Sequence, residues 1–375
     1  MNTGNWRAPF YVLLLSVTLL MIGVGRAPRM FDESHYVQAA RDFLAGVPTS
    51  NPEHPPLAKY FIAASIKIFG DRPFGWRFPS VLAGGLAAMA IFGITRQLTQ
   101  NTRTATIAWL LTVAGGFWFV MSRVAMLSIY QLSFELAGVW VFLLAGEKSR
   151  LPMFAFSGAL FGLAAGCRWC GLVGLIACLL VAMVERERLK TSFALLATCL
   201  GTYILVWLPL LIRERRPLAG ILAANEYIFH FHKYLKDDPR FSEPWWSWIL
   251  RLEPKPSLGY LLANPIIGVL GLFAVAALLV YRLRGDKSKS YILFLLYIGH
   301  LAQWAIGLRT LTYYYYYLES YVVLAPALAI AMQGLRWRTI RADVVVTALS
   351  LLFFAYWYPT WSDLTGTWSV LMGAH

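Results

Sequence analysis

Residues 31–61 read FDESHYVQAARDFLAGVPTSNPEHPPLAKYF and lie between two long apolar runs. The first run ends near position 25 and the next begins near position 76. An apolar run of about 20 residues is long enough to cross the hydrocarbon core of a bilayer as a helix. The stretch therefore predicts a large polar loop, from 26 to 75, that joins two membrane-spanning helices and carries Asp32 and Glu33 close to the membrane surface.

The composition extends this prediction to all 375 residues. Hydrophobic residues make up 58% of the sequence and charged residues only 14%, and the mean hydropathy is +0.57. These values exclude a soluble globular protein and predict an all-α polytopic membrane protein that forms one domain over residues 1–375. No small-residue cleavage site follows the first run, so we expect it to be kept as a helix and not removed as a signal peptide.

Apolar segments recur along the chain and predict eleven spans. Their approximate boundaries are 9–25, 76–96, 104–121, 125–145, 152–166, 169–184, 191–212, 262–281, 290–307, 317–333 and 342–359. Two stretches of nearly 50 residues, 26–75 and 213–261, contain no span. If the N-terminus lies on the cytoplasmic side, both stretches form large loops on the outer face.

Basic residues test this orientation, because short cytoplasmic loops are enriched in lysine and arginine. The proposed inner loops contain Arg96, Arg103, Lys148, Arg150, Arg186, Arg188, Lys190, Arg282, Arg284, Lys287, Lys289, Arg336, Arg338 and Arg341. Each of the three short outer loops contains a single arginine: Arg123, Arg168 or Arg309. The asymmetry predicts a cytoplasmic N-terminus and an outer C-terminus. The three outer arginines either reach lipid headgroups or bind a shared anion such as a lipid phosphate.

Two other classes of site are disfavoured. The net charge of +14 comes from residues scattered through short loops, which is not the basic stripe of a nucleic-acid-binding protein. The four cysteines lie in or next to apolar segments and predict no disulfide framework. Cys167 and Cys170 form a CRWC motif without the second pair of ligands that a structural zinc site needs.

Asp32 and Glu33 are candidates for acid–base chemistry. A carboxylate can take the proton from a hydroxyl group while that hydroxyl attacks. A single displacement with a phosphate leaving group needs one such base and cationic groups near the phosphate. The structural alternative is that Asp32 caps a short helix over residues 33–44.

The HPPLAK sequence at 54–59 offers the cationic groups. Pro56 is expected near the first turn of a helix, where its missing N–H costs little. His54 and Lys59 would then stand at a helix N-terminus, which favours phosphate. Arg77 adds a further positive charge at the outer end of the second span.

The second large loop is rich in aromatic residues. Trp245, Trp246 and Trp248 are either interfacial anchors or the wall of a sugar or acceptor site. Basic residues that would complete such a wall are His230, His232, Arg240 and Arg251. Tyr313–Tyr317 stand at the start of the tenth predicted span. Five tyrosines around a helix end cannot all face one ligand, so we expect some of them at the membrane interface.

Seven segments, in register from about 31 to 332, resemble motifs of the protein O-mannosyltransferase (PMT) family. This family consists of polyprenyl-phosphate-sugar-dependent transferases of the GT-C fold. The segments are FDESHYVQAARDFLAG, HPPLAKYFIAASIKIFGDRPFGWRFPS, SRVAMLSIY, CRWCG, SEPWWSWILR, ANPIIGVLGL and QWAIGLRTLTYYYYYLE. Each alone is modest, but seven in order are specific.

The resemblance implies a GT-C fold with about eleven transmembrane helices and two large outer loops. It also implies an inverting transfer of a sugar, mannose in the family, from a dolichyl or polyprenyl phosphate to Ser or Thr of a protein on the outer face. No segment resembles the family's MIR domain, as in short prokaryotic forms, which implies a prokaryotic plasma membrane. The expected partners are the lipid-linked sugar, a protein or envelope acceptor and membrane lipids, without nucleic acid, metal or cofactor.

The resemblance assigns roles by position. Asp32 takes the place of the family's catalytic acid and Glu33 that of its essential neighbour. The expected ligands of the carrier phosphate are His54, Lys59, Arg77, Arg123 and Arg309. The expected ligands of the sugar or acceptor are Arg168, Trp245, Trp246, Trp248 and Tyr315.

Several positions depart from the family's patterns, among them Tyr316 at the histidine of YHYLP. The SR-x-x-x-LD pattern ends in Ser128 here, and the lysine of KW-x-G is Arg168. The proline of YHYLP is Glu319, and the proline of WWSWP is Ile249. An arginine keeps the charge of a lysine but differs from it in geometry.

Two alternatives stay open at this point. One is a transferase that glycosylates lipid or an envelope polymer, as the aminoarabinose transferases of the same fold do. The other is a non-catalytic membrane subunit that has kept the fold. Asp32, His54, Lys59 and Arg77 favour an enzyme, since ionisable groups at a membrane are costly without a function. A transporter is disfavoured, because the ionisable residues are predicted at the outer surface and not at the midplane.

Overall fold

The computed structural model describes residues 6–26, 31–146, 150–183, 188–235, 242–255, 258, 260–306, 309, 311–337 and 339–363. Four of the basic residues named above lie outside these ranges: Lys148, Arg186, Arg240 and Arg338.

Within the described ranges the chain is mostly helical. The α-helices are α1 (Arg7–Met21), α2 (Phe31–Ala45), α3 (Leu57–Phe69), α4 (Pro73–Thr99), α5 (Thr102–Val113), α6 (Gly116–Met121), α7 (Leu127–Gly146), α8 (Leu151–Cys167), α9 (Leu172–Ala182), α10 (Arg188–Glu214), α11 (Gly220–Tyr234), α12 (Pro265–Leu283), α13 (Ile292–Ala305), α14 (Leu318–Val322), α15 (Leu324–Ala331) and α16 (Ala342–Trp361). Short 3₁₀ helices cover Val24–Arg26, Trp169–Gly171, Trp245–Trp248 and Tyr314–Tyr317. Strands β1 (Arg336–Trp337) and β2 (Ile340–Arg341) form an antiparallel pair.

The predicted all-α membrane architecture is confirmed. Among the described residues, α4, α7, α10, α12 and α16 are long and apolar enough to cross a membrane, by length and composition. Shorter apolar helices are Arg7–Met21, Leu151–Cys167, Trp169–Ala182 and Ile292–Ala305. Two predicted spans, 104–121 and 317–333, are each divided between two helices. The number of eleven spans stays a prediction.

Helices also occupy the two predicted outer loops. The helix expected over 33–44 is confirmed as α2, but it begins at Phe31. Asp32 therefore lies inside the first turn and is not the N-cap. The HPP sequence leads into α3 as expected, with Pro56 as its N-cap residue and Lys59 in the first turn. The second loop contains α11 and the 3₁₀ helix of the tryptophans.

Three glycines allow α8 to lie directly against α10. Gly158, Gly162 and Gly166 are four residues apart and form one small face, a pattern that brings membrane helices close together. A Cβ atom at Gly158 would lie 2.4 Å from the carbonyl oxygen of Leu195, and one at Gly162 would lie 2.5 Å from that of Cys199. The backbones are in contact, so neither position has room for a side chain.

We expect Gly162→Ile to destabilise the protein by about 1–3 kcal/mol or more, because the added side chain would push α8 away from α10. Gly201→Ile is the matched control, since no atom lies within 4 Å of a Cβ placed at Gly201 on α10. Thermal unfolding in detergent should show a lower midpoint for the first variant and little change for the second. Equal midpoints would contradict the close helix contact.

Candidate active site

Asp32 is held by a tyrosine from the far end of the sequence. The side chain is partly buried, and the Tyr315 phenol donates a hydrogen bond to its Oδ2. Burial, and next the charge of Asp32, raise the pKa of Tyr315 well above its usual value, so the phenol stays protonated and donates. The structure thus brings together the predicted catalytic residue and one predicted sugar or acceptor ligand. The contact fixes the orientation of the carboxylate.

Glu33 has a different environment from its neighbour. Nε and Nη2 of Arg77 donate to its two carboxylate oxygens at 2.7 Å each, and the Ala125 N–H donates to Oε1 at 2.9 Å. Nη1 of Arg77 donates to the Val24 carbonyl at 3.0 Å. Glu33 and Arg77 are almost completely buried, at 2% and 1% exposure. Arg77 was expected to bind the carrier phosphate, but these contacts direct its guanidinium into the protein and make it a clamp for Glu33.

Two of the three arginines of the predicted short outer loops converge near Tyr315. The guanidinium of Arg168 lies 5.2 Å from the centre of the Tyr316 ring, and that of Arg309 lies 5.4 Å from it. Such cation–π contacts are favourable, and more so when water is excluded. Trp304 stacks on the same ring at 4.5 Å. The two positive charges thus lie over Tyr316, next to Tyr315, which donates its hydrogen bond to Asp32.

Arg123, the third outer arginine, is placed elsewhere. Its Nη2 donates to the Ile22 carbonyl after α1 at 2.7 Å, and its Nη1 donates to Oγ of Ser362 after α16 at 2.8 Å. The side chain is 1% exposed and packs over the Phe119 ring. These contacts do not support its expected role as a phosphate ligand. Through these contacts Arg123 connects the C-terminal ends of α1 and α16.

A cluster of rings extends from α2 to α11. His54 lies 5.9 Å from Tyr36 and 5.0 Å from His232, centre to centre. Nη1 of Arg309 donates to Nδ1 of His232 at 3.1 Å, and Nε2 of His232 lies 2.9 Å from the Glu53 carbonyl. Burial, and next the charge of Arg309, lower the pKa of His232 to about 4, so this ring is neutral near pH 7. His54 also has a pKa well below its usual value, mainly because of burial.

Lys59 is a buried cation at the start of α3. It is 5% exposed, and its Nζ donates to the carbonyls of Asn51 and His54. Burial lowers the pKa of Lys59 to about 7. Its first role is therefore to hold the HPP turn in place, and its charge changes near neutral pH.

A cavity of about 400 Å³ opens next to this turn, between α2, α3, α10 and α11. Its wall combines His54 and Lys59 with Arg213 and with the apolar residues Trp207 and Leu210. Arg213 donates to the carbonyls of Phe43 and Val47, and its Nε is buried without a partner among the described residues. Arg213 was not singled out from the sequence, because nothing local distinguishes it from the neighbouring Arg215 and Arg216.

The tryptophans of the second loop do not form one wall. Trp248 is completely buried, at 0% exposure, and packs near Trp304 and Tyr316. Trp246 is 64% exposed, and Trp245 meets it edge to face. A single 3₁₀ turn points neighbouring side chains in different directions, so the shared role predicted for the three residues is not supported.

Four of the five tyrosines are buried inside the protein, and the expectation that some of the five lie at the membrane interface stays a prediction. Tyr314, Tyr315, Tyr316 and Tyr317 are at most 5% exposed. Three of their hydroxyl groups bond within the protein: Tyr314 accepts from the Ala263 N–H at 3.1 Å, Tyr315 donates to Asp32, and Tyr317 pairs with Tyr297 at 3.1 Å. Only Tyr313 is half-buried.

A buried polar network continues from Arg168 into the bundle. Nη1 of Arg168 donates to Oγ of Ser128 at 2.7 Å and to Oε1 of Glu319 at 2.6 Å. Deeper in the bundle, Glu135 of α7 meets His300 of α13 at 2.9 Å. The expectation that ionisable residues collect at the outer surface and not at the midplane does not hold for Glu135 and His300, which lie in the interior of α7 and α13. Glu135 and His300 each stand within a predicted span, and this could have been noticed in the sequence. Ionisable residues are rare at such positions and usually pair with one another or serve a function.

The comparisons with known proteins agree with this description. Residues 53–212 match the family model described as dolichyl-phosphate-mannose-protein mannosyltransferase. A polyprenol-phosphate-mannose–protein mannosyltransferase of Corynebacterium glutamicum is 32% identical over 208 residues, which are 46% of this chain and 40% of that protein. An undecaprenyl phosphate-α-4-amino-4-deoxy-L-arabinose arabinosyl transferase of Pseudomonas paraeruginosa is 24% identical over 290 residues, 70% of this chain and 52% of that protein. The chain thus spans about half or less of the length of these relatives.

A solved structure shows the same fold. The S. cerevisiae Pmt1-Pmt2 complex bound to the sugar donor superposes with a TM-score of 0.79 at 12% identity, over 96% of this chain and 91% of that one. The resemblance predicted from the sequence is therefore confirmed: residues 53–212 match the PMT family model, and the chain has the GT-C fold of these glycosyltransferases.

Proposed function

We propose that this protein transfers mannose from a polyprenyl-phosphate carrier to a hydroxyl group of a protein, on the outer face of a prokaryotic plasma membrane. The observation that carries the proposal is the Asp32–Tyr315 contact next to Arg168 and Arg309. A carboxylate of fixed orientation beside two cations is what a single displacement from a phosphate requires.

Asp32 acts as the general base. It takes the proton of the acceptor hydroxyl as the hydroxyl oxygen forms a bond to the anomeric carbon of the sugar. The bond between that carbon and the phosphate oxygen breaks, and its electron pair leaves with the polyprenyl phosphate. Arg168 and Arg309 stabilise the negative charge that develops on the phosphate. Tyr315 keeps the carboxylate in position throughout.

The carrier binds in the cavity between α2, α3, α10 and α11. Lys59 and Arg213 make the wall of this cavity positive and attract the phosphate, which then lies against Arg168 and Arg309 for the transfer; Nε of Arg213 has no partner among the described residues. Trp207 and Leu210 provide an apolar wall for the prenyl chain. Only 28% of the most apolar stretch of α10 is buried inside the protein. The prenyl chain of the carrier can therefore continue along this helix into the lipid. His54 lines the cavity and also packs near Tyr36, one turn beyond Asp32, which connects the two parts of the site.

The proposal is tested by transfer with the purified protein. Synthetic polyprenyl-phosphate mannose would be supplied as the donor, with Ser- and Thr-containing peptides in one arm and an envelope lipid in the other. Mannosylated peptide is the expected product. Product in the lipid arm alone would favour the alternative that the Pseudomonas relative suggests, which is glycosylation of an envelope lipid. No transfer in either arm would contradict the proposal.

We also propose that transfer needs no divalent metal, because arginine and lysine can neutralise a single phosphate. The rate should therefore stay within about twofold of its original value after treatment with a chelator, followed by removal of the chelator and any metal it holds. Loss of activity that returns on adding Mg²⁺ or Mn²⁺ would overturn this expectation.

Binding of the carrier is expected to depend on pH through Lys59. The pKa of Lys59 is lowered to about 7, so its ammonium loses its proton as pH rises above 7. Affinity for undecaprenyl phosphate should fall by up to about tenfold between pH 6 and pH 9, since each 1.4 kcal/mol of lost attraction is tenfold. The phosphate itself gains charge over this range, which acts in the opposite direction. Lys59→Met should bind weakly at low pH and lack the fall, and a fall of equal size in this variant would contradict the assignment.

A further inference from the structure

The strongest unassigned feature is the ion pair between Arg168 and Glu319. Arg168 follows α8, and Glu319 lies in the first turn of α14. Their side chains approach to 2.6 Å and are 9% and 2% exposed. Ser128, at the start of α7, accepts a hydrogen bond from the same nitrogen at 2.7 Å. Three separate elements therefore meet at one atom, Nη1 of Arg168.

This arrangement leaves part of the guanidinium available. Among the residues that the structure describes, the hydrogen bonds of Arg168 are made by Nη1, and Nε and Nη2 remain for a ligand. The group lies over Tyr316, next to the tyrosine that holds Asp32. Its charge also acts on the Tyr36 phenol and the His54 ring. Its remaining donors therefore stand among the residues of the proposed site.

Glu319 has no comparable alternative partner. Its Oε2 is buried without a hydrogen bond in the described part of the chain, and the Cys170 thiol is 4.0 Å from Oε1. A buried carboxylate that is only half satisfied is costly by itself and is stabilised chiefly by its counter-ion. Glu319 and Arg168 thus depend on each other, and the carboxylate sets where the guanidinium lies.

We propose that Glu319 is a positioning residue that orients Arg168 toward the phosphate of the lipid-linked donor. The inference rests on the proposed function, since the phosphate is the ligand that the remaining donors would bind. It also explains the contact with Ser128: a carboxylate at position 128 would lie against the same nitrogen and could replace Glu319. A carboxylate on α7 could therefore orient Arg168 in the same way as the carboxylate on α14 does.

The test measures transfer rate and affinity for undecaprenyl phosphate in four proteins: wild type, Glu319→Gln, Ser128→Asp/Glu319→Gln and Glu226→Gln. Glu319→Gln keeps the size of the side chain and removes its charge, and a fall in kcat/KM of about 10- to 100-fold is expected. The added Ser128→Asp should restore most of this loss. Glu226 lies on α11 with a side chain that is 73% exposed, so its variant should match wild type.

The rescue assigns the loss to the missing charge and not to packing, because Glu319→Gln leaves the size of the side chain on α14 unchanged and Ser128→Asp only returns a carboxylate from α7. Wild-type values for Glu319→Gln, or a loss that Ser128→Asp does not restore, would overturn the inference. If wild type binds undecaprenyl phosphate but transfers no sugar, the proposed function fails and the affinities alone decide the role of Glu319. If wild type does not bind the carrier phosphate at all, both proposals are overturned.

Discussion

Asp32→Asn is expected to lower the rate of sugar transfer by about 10²- to 10⁴-fold, which is the usual contribution of a general base. Asparagine has nearly the same shape and still accepts the hydrogen bond from Tyr315 through its amide oxygen. It cannot take the proton of the acceptor. The loss should therefore appear in kcat, while the affinity for undecaprenyl phosphate and the unfolding midpoint stay near those of wild type.

Tyr315→Phe is the matched control for Asp32→Asn. It removes only the hydrogen bond that orients the carboxylate, so a smaller loss of about tenfold is expected. Both variants would be measured in detergent with the same donor and peptide. An Asp32→Asn protein with wild-type kcat would show that another group is the base. A Tyr315→Phe protein as inactive as Asp32→Asn would mean that the phenol does more than orient the carboxylate.

Arg77→Met is expected to destabilise the protein by about 3–5 kcal/mol, because it leaves the buried Glu33 carboxylate without its counter-ion. If Arg77 were instead a ligand of the carrier phosphate, as the sequence indicated, its replacement would lower the affinity for the carrier. Thermal or denaturant unfolding distinguishes a buried clamp for Glu33, whose loss lowers stability, from a phosphate ligand, whose loss lowers carrier affinity. The double variant Glu33→Leu/Arg77→Met should recover much of the stability, since no unpaired charge then remains buried.

Arg41→Met provides the control for Arg77→Met, because the geometry of the two pairs is similar. Arg41 also bonds a carboxylate through two nitrogens, at 2.8 and 3.1 Å to Asp71, but its side chain is 39% exposed. Exposed pairs contribute about 0–1 kcal/mol. The two variants should thus differ several-fold in their cost. Equal costs would contradict the account of Arg77 as a buried clamp.

The comparison of Asp32 with Glu33 shows what the sequence could and could not predict. The motif identified both carboxylates and placed them at the end of the first span, and the structure puts them on a helix there. Only the fold shows that their environments differ, because the partners are distant in sequence: Tyr315 for Asp32 and Arg77 for Glu33. Local sequence cannot give the distance between such residues.

The arginines illustrate the same limit. Counting charges in the outer loops selected Arg123, Arg168 and Arg309 together, since the count depends on topology alone. In the structure, Arg168 and Arg309 share the Tyr316 ring, whereas Arg123 joins the ends of α1 and α16. Which loop ends meet depends on how the helices pack. The α8–α10 glycine face, by contrast, could have been found from its four-residue spacing.

Two departures from the family's patterns become intelligible only in three dimensions. Ser128 and Glu319 are far apart in the sequence and were noted as separate differences from the family. Both contact Nη1 of Arg168, itself the third departure. The family's aspartate is absent at Ser128, but a carboxylate that the family lacks is present at Glu319, and both side chains contact the same nitrogen.

The central claim is a single displacement assisted by Asp32, and the anomeric configuration of the product tests it most directly. Purified protein would be supplied with polyprenyl-phosphate mannose of defined configuration and a serine-containing peptide, and the glycopeptide would be examined by NMR. The account predicts a product whose anomeric configuration is inverted relative to the donor. Retention of configuration would contradict it, because an in-line single displacement always inverts the anomeric carbon.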